Sequence, residues 1–393
     1  MRRSIDNLPP ADTALAATLV EILGDLIAIP SVYPEGNTGA IADYCVRRLS
    51  VAGYAVERLS SGGVANVVAR MGKGTPSLVF NAHADTAAPG PATAWRGAPF
   101  GARVSDGRVH GLGAGNGKGP MAVQLWLAEE VARRGGPARG EVVFTFVGDS
   151  EGLGPNGLKF LRDQGYVKPD ILVVGAQTEN QLVVEERGLM WVRLTTHGKA
   201  APAATPQLGD NAIARMLRVL AYLERDLLPS IAARKRGGKQ ATLSLGTISG
   251  GGSTDVVPGS CRATIDRRLL PGEVLHAAFA ELRTTALAAG EPAGTVEAEL
   301  LTGSDGFDSG RSGAGVAAFQ RAIAATLGAP ARFLDVTGVF DGRYFARDGI
   351  EIIDFGPGEG YEGHAPNEST PIVQLEQAAL IQREVLRELL GVG

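Results

Sequence analysis

The sequence predicts an α/β fold in which helices cover both faces of a central sheet, interrupted by a smaller α+β domain. Apolar segments such as SLVFNAH, EVVFTFVG and ILVVGAQ alternate with helical segments, and strands that are apolar throughout are typical of sheets buried on both faces. Near residue 184 the order changes to strand, helix, strand, strand, helix, strand, which is the order of a ferredoxin-like unit. We therefore predict an inserted domain at 184–298 between two parts of the α/β domain, 1–183 and 299–393.

The individual elements follow from the same patterns. The first part is predicted to contain an amphipathic helix within residues 1–30, the helix GAIADYCVRRLSVAG, the strands NVVARM and SLVFNAH, a helix from Met121, the strand EVVFTFVG, a helix at GLKFLRDQG and the strand ILVVGAQ. The inserted domain has the strands LMWVRLTTHG, ATLSLGTIS, CRATIDRRL and TVEAELL and the helices NAIARMLRVLAYLERDLL and VLHAAFAELRTTALAAG. Helical spacing of apolar residues in the first of these two helices predicts that it packs on the small sheet. The chain returns to α/β character and ends in the amphipathic helix QLEQAALIQREVLRELL.

The composition excludes several classes of function. With 393 residues, 44% of them hydrophobic, and a net charge of -4, the chain can bury a large core but lacks the positive field that attracts nucleic acid or anionic membranes. No apolar segment approaches the roughly 20 residues that span a bilayer, and acids interrupt the N-terminal apolar stretch, unlike in a signal peptide. The two cysteines, Cys45 and Cys261, are far apart. We expect a cytoplasmic protein without disulfides or a thiolate metal site.

A glycine-rich loop, GLGAGNGKGP at residues 111–120, allows three interpretations. A Walker phosphate loop is disfavoured, because Leu112 and Gly119 stand where it needs a glycine and a hydroxyl residue. A dinucleotide-binding loop directly follows the first strand of its fold, whereas this loop follows several strands. The third interpretation, a metal-site loop, depends on the segments around it.

Polar residues follow several of the predicted strands. His83 and Asp85, in NAHADT, are separated by one residue, so both side chains leave on one face and the acid can orient the imidazole. GDSEG and GAQTEN follow two further strands, and FGPGEGYEGHAPNE carries His364. Because active sites of α/β sheets lie at the carboxyl ends of strands, we expect these segments to form one site.

The order of these motifs across the whole chain closely resembles the zinc-dependent aminoacylase and carboxypeptidase family, which includes glutamate carboxypeptidase, acetylornithine deacetylase and succinyl-diaminopimelate desuccinylase. Further matching segments are ERGLMWVRLTTHGKAA, LGDNAIARM, DVVPGSCRATIDRRLLPGE and DGRYFA. The resemblance implies a zinc-exopeptidase-like catalytic domain with a mixed sheet and an inserted domain that serves as a lid and forms a homodimer. It also implies a two-zinc centre that hydrolyses an amide next to a carboxylate.

The chain departs from this family at three of the six site positions that the resemblance implies. Asn116 replaces the Asp that bridges both metals, Ser150 replaces the Glu that acts as base, and Ala176 replaces a ligand carboxylate. Two dications about 3.5 Å apart repel by about 19 kcal/mol at an effective dielectric constant near 20, and a neutral amide does not offset this repulsion. A serine hydroxyl does not accept a proton from water as a carboxylate does. We therefore expect no cofactor, or at most one weakly held zinc.

The other three positions retain His83, Glu151 and His364, and the Asp that accompanies the first His is retained as Asp85. With Ser150 they are the candidate catalytic residues, although Ser150 lacks the G-x-S-x-G context of a nucleophile. If a metal binds, the resemblance makes His83, Glu151 and His364 its ligands. These positions predict an acid-base cluster.

The candidate substrate-binding residues are Arg268, Arg343, Asn116 and Asp255. The two arginines match family arginines and suit a substrate carboxylate, because a guanidinium binds a carboxylate as a fork. The lid has diverged as well, since Pro202 stands where the family has a His and Asp255 where it has an Asn. The expected substrate is a small carboxylate that resembles an amino acid or an acyl-amino acid.

Three functions remain open at this stage. The first is a repurposed enzyme that performs proton transfer, cyclisation, elimination or acyl transfer by acid-base chemistry. The second is a conventional zinc-dependent amide hydrolase, a carboxypeptidase or a deacylase of N-acyl-amino acids. The third is a catalytically inactive homologue that binds a ligand. Retention of the acid-base cluster favours an enzyme, whereas Glu359, Glu362 and Glu368 are interpreted as solvated loop acids.

Overall fold

The computed structural model describes residues 13–34 and 37–393. The helices are α1 (Thr13–Ala28), α2 (Gly39–Val51), α3 (Lys118–Arg133), α4 (Leu158–Asp163), α5 (Ala212–Asp226), α6 (Leu228–Ala232), α7 (Leu275–Leu287), α8 (Ala314–Leu327) and α9 (Ile372–Leu390). The strands are β1 (Ala55–Ser61), β2 (Val64–Gly72), β3 (Ser77–His83), β4 (Arg103–Ser105), β5 (Arg108–His110), β6 (Glu141–Val147), β7 (Ile171–Gly175), β8 (Glu185–Glu186), β9 (Gly188–His197), β10 (Ala201–Pro202), β11 (Lys235–Arg236), β12 (Lys239–Gln240), β13 (Thr242–Gly250), β14 (Val256–Val257), β15 (Ser260–Leu269), β16 (Val296–Ser304), β17 (Phe307–Asp308), β18 (Glu351–Phe355) and β19 (Ser369–Pro371). The predicted N-terminal helix is present as α1, and the part of that prediction on residues 1–12 lies outside the described residues.

The chain divides into two compact units. The first comprises Ser309–Leu334, Phe340–Gly393 and the described residues up to Val184; the second comprises Glu185–Asp308 and Asp335–Val339. The predicted boundary at residue 298 falls inside β16, because the pairing of this strand with β9 continues to Ser304.

The first unit contains a mixed six-stranded sheet with the order β1, β2, β6, β3, β7, β18. Strands β6, β3, β7 and β18 run parallel to one another, whereas β1 and β2 are antiparallel. This confirms the predicted α/β class. Because parallel strands end at the same edge of a sheet, the segments after β3, β6, β7 and β18 emerge together.

Helices and turns cover both faces of this sheet. Residues such as Leu78, Phe80 and Phe144 share one core with α1, α2, α3, α8 and α9. The alternate residues of the same strands face the opposite side, where the short 3-10 helix Asp341–Phe345 contacts β7 and β18. Asp341 of this 3-10 helix accepts a hydrogen bond from Ser150, in the segment after β6.

The second unit is an α+β domain with the predicted element order. Its antiparallel sheet has the strand order β13, β15, β9, β16. Helices α5 and α7 pack on one face around a core that includes Val192, Met216 and Leu282. The ferredoxin-like prediction is therefore confirmed. Within residues 13–34 and 37–393, no helix combines the length and apolar character that crossing a bilayer requires.

Candidate active site

Asp85 contacts two of the candidate catalytic residues, His83 and Glu151. The Nδ1 atom of His83, the last residue of β3, lies 3.0 Å from the carbonyl oxygen of Asp85 and 3.4 Å from its carboxylate Oδ1. The other carboxylate oxygen accepts the backbone N–H of Glu151 at 2.9 Å. Asp85 therefore orients the imidazole and holds the loop after β6 against the end of β3.

His83 is set up to carry a proton. Burial lowers its pKa, but the hydrogen bond and charge of Asp85, followed by the charges of Glu151 and Asp341, outweigh burial and raise the pKa to about 10. A histidine with such a pKa is an imidazolium at neutral pH. The ring can therefore donate a proton or a charged hydrogen bond.

The glycine-rich loop wraps around an internal carboxylate. Glu368 accepts the backbone N–H groups of Gly113 at 3.0 Å and Gly115 at 2.9 Å, and that of Asn116 as well. Glu368 is 2% exposed, so its interpretation as a solvated acid was wrong, because the loop satisfies its charge. The N–H groups that a phosphate would need are already used, which excludes the phosphate-cradle interpretation in this conformation.

Gly117 lets the loop approach His83. It has φ +96°, and a Cβ atom there would lie 2.7 Å from Cε1 and 2.8 Å from the carbonyl oxygen of His83. Only glycine combines this backbone conformation with such a close contact. Helix α3 begins at the next residue, Lys118, so this glycine sets the distance between the helix and the site.

Asn116, Glu151 and His364 form a closed triangle. The Nδ2 group of Asn116 donates to Oε1 of Glu151 at 2.5 Å and lies 2.7 Å from Nε2 of His364. Nε2 of His364 lies 2.9 Å from Oε2 of Glu151. The hydrogen bond that Glu151 accepts from His364 raises the pKa of His364 above its ordinary value, burial opposes this, and the charge of Glu151 adds to the increase. The triangle contains a second acid-base pair, Glu151 and His364, and the amide of Asn116 donates to the carboxylate of this pair.

The residues present do not fit a two-metal centre. Two zinc ions carry four positive charges, and Glu151 is the one carboxylate retained at the family's ligand positions. Ligand atoms of one tetrahedral zinc, each about 2.0–2.2 Å from the metal, lie about 3.3–3.6 Å apart. The atoms of the triangle are closer together, and the amide presents a donor to Glu151. Among the described residues, no group of three or more His, Cys, Asp or Glu is placed to hold a metal. Binding of at most one weakly held zinc stays a prediction.

Ser150 and Ala176 occupy the two other altered positions. The hydroxyl of Ser150 donates to Oδ1 of Asp341 at 3.0 Å. Ala176 is 3% exposed, and its backbone N–H pairs with the carbonyl of Phe355. Ala176 therefore has only a methyl group where a ligand would be needed.

The predicted substrate-binding residues have other partners. The guanidinium of Arg343 is 2% exposed and donates to the carbonyl of Phe340 and the hydroxyl of Tyr344. It is buried and has internal partners in this conformation, and binding of a substrate carboxylate by Arg343 stays a prediction. Arg343 instead lies 3.6 Å from Asp341 as an ion-pair partner.

Arg268 and Asp255 belong to the second unit. The guanidinium of Arg268 binds both oxygens of Asp266, at 2.8 and 3.1 Å. A substrate carboxylate at Arg268 would compete with this internal pair. Asp255 accepts a hydrogen bond from the hydroxyl of Ser253, and this bond lowers the pKa of the Asp255 carboxyl group.

Two buried acids that matter to the site were missed in the sequence. Glu368 clamps the glycine loop, and Asp341 holds Ser150. Both acids lie in motifs that match the family, and this position could have indicated a role in the site. Glu368 is four residues after His364, and Asp341 is two residues before Arg343. Glu359 and Glu362 are not simply solvated either, because Arg108 binds them at 2.6 and 2.9 Å.

The chain is similar to peptidases and desuccinylases of known sequence and structure. Residues 184–293 match the model of a peptidase dimerisation domain of the M20 type. Succinyl-diaminopimelate desuccinylase of Methylorubrum populi is 30% identical over 92% of this chain and 95% of its own length; that of Hahella chejuensis is 29% identical over 97% and 99%. The crystal structure of an M20 family metallo-carboxypeptidase from Sulfolobus solfataricus has a TM-score of 0.81 and 17% identity, covering 94% of this chain and 98% of that one.

Proposed function

We propose that this chain, which belongs to the M20 metallopeptidase family of peptidases and desuccinylase-like hydrolases, acts on a small carboxylate that resembles an amino acid or an acyl-amino acid, by acid-base chemistry that needs no two-zinc centre. The family membership and the fold are premises of this proposal. The altered chemistry is the proposal itself, and at most one weakly held zinc belongs to it.

The amide of Asn116 is the observation that carries the proposal. It donates to Glu151 and lies against His364, where the family resemblance requires an anionic bridge. A neutral donor at this position removes one negative charge and also uses a lone pair of Glu151. Two dications would then face a site with too little negative charge to hold them.

The remaining groups can move protons without a metal. Glu151 accepts a proton from the substrate, and its partner His364, whose side chain is 59% exposed, exchanges protons with water. His83 donates from the other side, held by Asp85 in the orientation described above. Two histidine-carboxylate pairs suit proton transfer, elimination, cyclisation or acyl transfer.

Metal analysis combined with turnover tests this proposal. The purified protein should contain less than about one zinc per chain, and its turnover of a panel of carboxylated acyl-amino acids should persist in EDTA. His83→Asn, Glu151→Gln and His364→Asn should each reduce that turnover by about a hundredfold or more. His276→Asn, which changes an exposed histidine of α7, is the matched control. Two zinc ions per chain with hydrolysis that EDTA abolishes would refute the proposal.

A conventional zinc-dependent amide hydrolase is the second candidate. Its support is the similarity to desuccinylases over nearly the whole chain, together with the retained His83, Glu151 and His364. N-succinyl-diaminopimelate, the substrate in the name of those relatives, is therefore the first compound to assay with added zinc. Absence of any turnover, with binding intact, would instead support an inactive ligand-binding homologue.

A homodimer through the second unit is part of the proposal. Strand β13 is the edge of the four-stranded sheet, and its Leu245 and Ile248 are 54% and 53% exposed. An exposed apolar edge strand is suited to pairing with another chain, and the matched dimerisation model covers it.

We also propose a cytoplasmic location, with which the unpaired Cys45 and Cys261 agree.

A further inference from the structure

A buried cluster of charged groups lies behind Ser150. Asp341 and Arg343 are each 3% exposed, and Asp354 of β18 is fully buried. Ser150 contacts this cluster through its 3.0 Å hydrogen bond to Asp341, and Arg343 lies 3.6 Å from the same carboxylate oxygen. The hydroxyl of Ser150 is therefore oriented by a group on another segment of the chain.

The buried guanidinium decides the charge of this cluster. Arginine stays protonated in proteins, and a buried cation needs an anion beside it. Asp341 is the carboxylate paired with Arg343. Burial, followed by the charge of Asp341, raises the pKa of Asp354 well above its ordinary value, and neither oxygen of Asp354 has a hydrogen-bond partner among the described residues. Burial raises the pKa of Asp341 too, whereas the charges of Arg343 and His83 and the hydrogen bond from Ser150 lower it. Because Asp341 accepts a hydrogen bond and Asp354 accepts none among the described residues, we assign the negative charge that balances Arg343 to Asp341.

The charge on Asp341 fixes the role of Ser150. A carboxylate has no proton to donate, so the hydroxyl proton of Ser150 is committed to Asp341. The oxygen of Ser150 is left with lone pairs that can only accept. Ser150 is half-buried and is the third residue after β6, directly before Glu151. The acceptor oxygens of these two residues suit a hydrogen-bond donor, preferably a cationic one.

We propose that Ser150, positioned by Asp341, accepts a hydrogen bond from an amino group of the substrate, so that the site selects carboxylates that also bear an ammonium group. This inference rests on the proposed function, because it assumes that the ligand enters beside Glu151. It deepens that function by naming the substrate class. Ser150 is then a binding residue, and Asp341 is a positioning residue that acts through it.

Matched ligand pairs test the inference by calorimetry in EDTA-containing buffer. Aspartate against succinate, and glutamate against glutarate, differ by one ammonium group. The amino-bearing member of each pair should bind at least about tenfold more tightly, as expected for a hydrogen bond to a charged group. Ser150→Ala should reduce this preference about tenfold, and Ser150→Thr should restore it. The control Ser60→Ala, on the exposed side of β1, should leave it unchanged.

Asp341→Asn provides the second arm. The neutral amide can turn its N–H towards Ser150 and occupy the serine oxygen, so the preference should fall although Ser150 is present. If this variant does not fold, the serine variants alone decide. Equal affinity within each pair, binding of no member, or a preference that survives Ser150→Ala would overturn the inference. The proposed function fails separately, by two bound zinc ions per chain, whichever ligand is preferred.

Discussion

Asn116 donates a hydrogen bond from its side-chain amide to the carboxylate of Glu151, at 2.5 Å between the nitrogen and Oε1. An aspartate in its place would set two carboxylates against each other. Asn116→Asp should therefore lower the free energy of unfolding by about 1–3 kcal/mol in EDTA. Added zinc should recover this loss, because a metal that binds the folded state stabilises it.

Urea denaturation with EDTA and with zinc measures both effects of Asn116→Asp. Asn211→Asp is a matched control, because this residue caps α5 by accepting the N–H of Ala214, which an aspartate also does. The control should show neither the loss nor the response to zinc. Equal stability of Asn116→Asp and the wild type in EDTA would contradict the hydrogen bond from Asn116 to Glu151.

The pair of His83 and Asp85 should make stability depend on pH. The pKa of His83 is raised to about 10 in the folded protein, against about 6.5 in an unfolded chain. The stabilisation is therefore complete below about pH 6.5 and is lost as the pH rises through about 10. Asp85→Asn should cost about 3–5 kcal/mol near pH 7, because it removes one partner of a buried pair.

Unfolding free energies of the wild type and Asp85→Asn, measured from pH 6 to pH 10.5, test whether the stabilisation decreases as the pH rises. Their difference should shrink steadily from about pH 6.5 to about pH 10, since neutral His83 no longer needs the carboxylate. His276→Asn, at an exposed position, should differ from the wild type by a constant amount over that range. A difference for Asp85→Asn that grows with pH would show that the sign is wrong.

The fold was predictable because its signals are local. Apolar strands, helical periodicity and the change of order near residue 184 each depend on a few neighbouring residues, and the parallel strands then bring His83, Glu151 and the segment after β18 to one edge. Position in the motifs also indicated which site residues depart from the family. These inferences need no knowledge of side-chain contacts.

The roles of Glu368 and Asp341 could not be predicted from neighbouring residues. Glu368 follows a glycine-rich stretch that looks solvated, and its N–H donors are about 250 residues away, Gly115 being 253 positions earlier. Asp341 meets Ser150 across 191 positions. Burial of an acid depends on such distant partners, so a local pattern of glycines and acids predicts a solvated loop. The internal ion pair of Arg343 was not predictable for the same reason, because the burial of its anion, Asp341, depends on distant contacts.

The exposed edge of the second unit leads to a prediction about assembly. Ile248→Glu places a charge on β13, where the isoleucine is 53% exposed, and charge on an edge strand opposes pairing. The variant should be monomeric at concentrations where the wild type is dimeric, by sedimentation velocity. Val51→Glu, at a position of α2 that is 90% exposed, is the control and should remain dimeric. A dimeric Ile248→Glu protein would place the interface elsewhere.

Gly117 offers a sharper test of the site, because the chain contains a glycine that matches it in conformation and differs in surroundings. Gly117 has φ +96° and Gly74 has φ +93°, but a Cβ atom at Gly74 would meet nothing within 4 Å, whereas one at Gly117 would press on His83. Gly74→Ala therefore measures the backbone strain alone, about 1 kcal/mol. Gly117→Ala adds displacement of the imidazole or its strand and should cost about 2 kcal/mol more. In Gly117→Ala, the NMR resonances of the His83 imidazole should shift and turnover should fall. Gly74→Ala should change neither. Equal costs with an unchanged His83 signal would mean that the glycine loop does not press on this imidazole in solution.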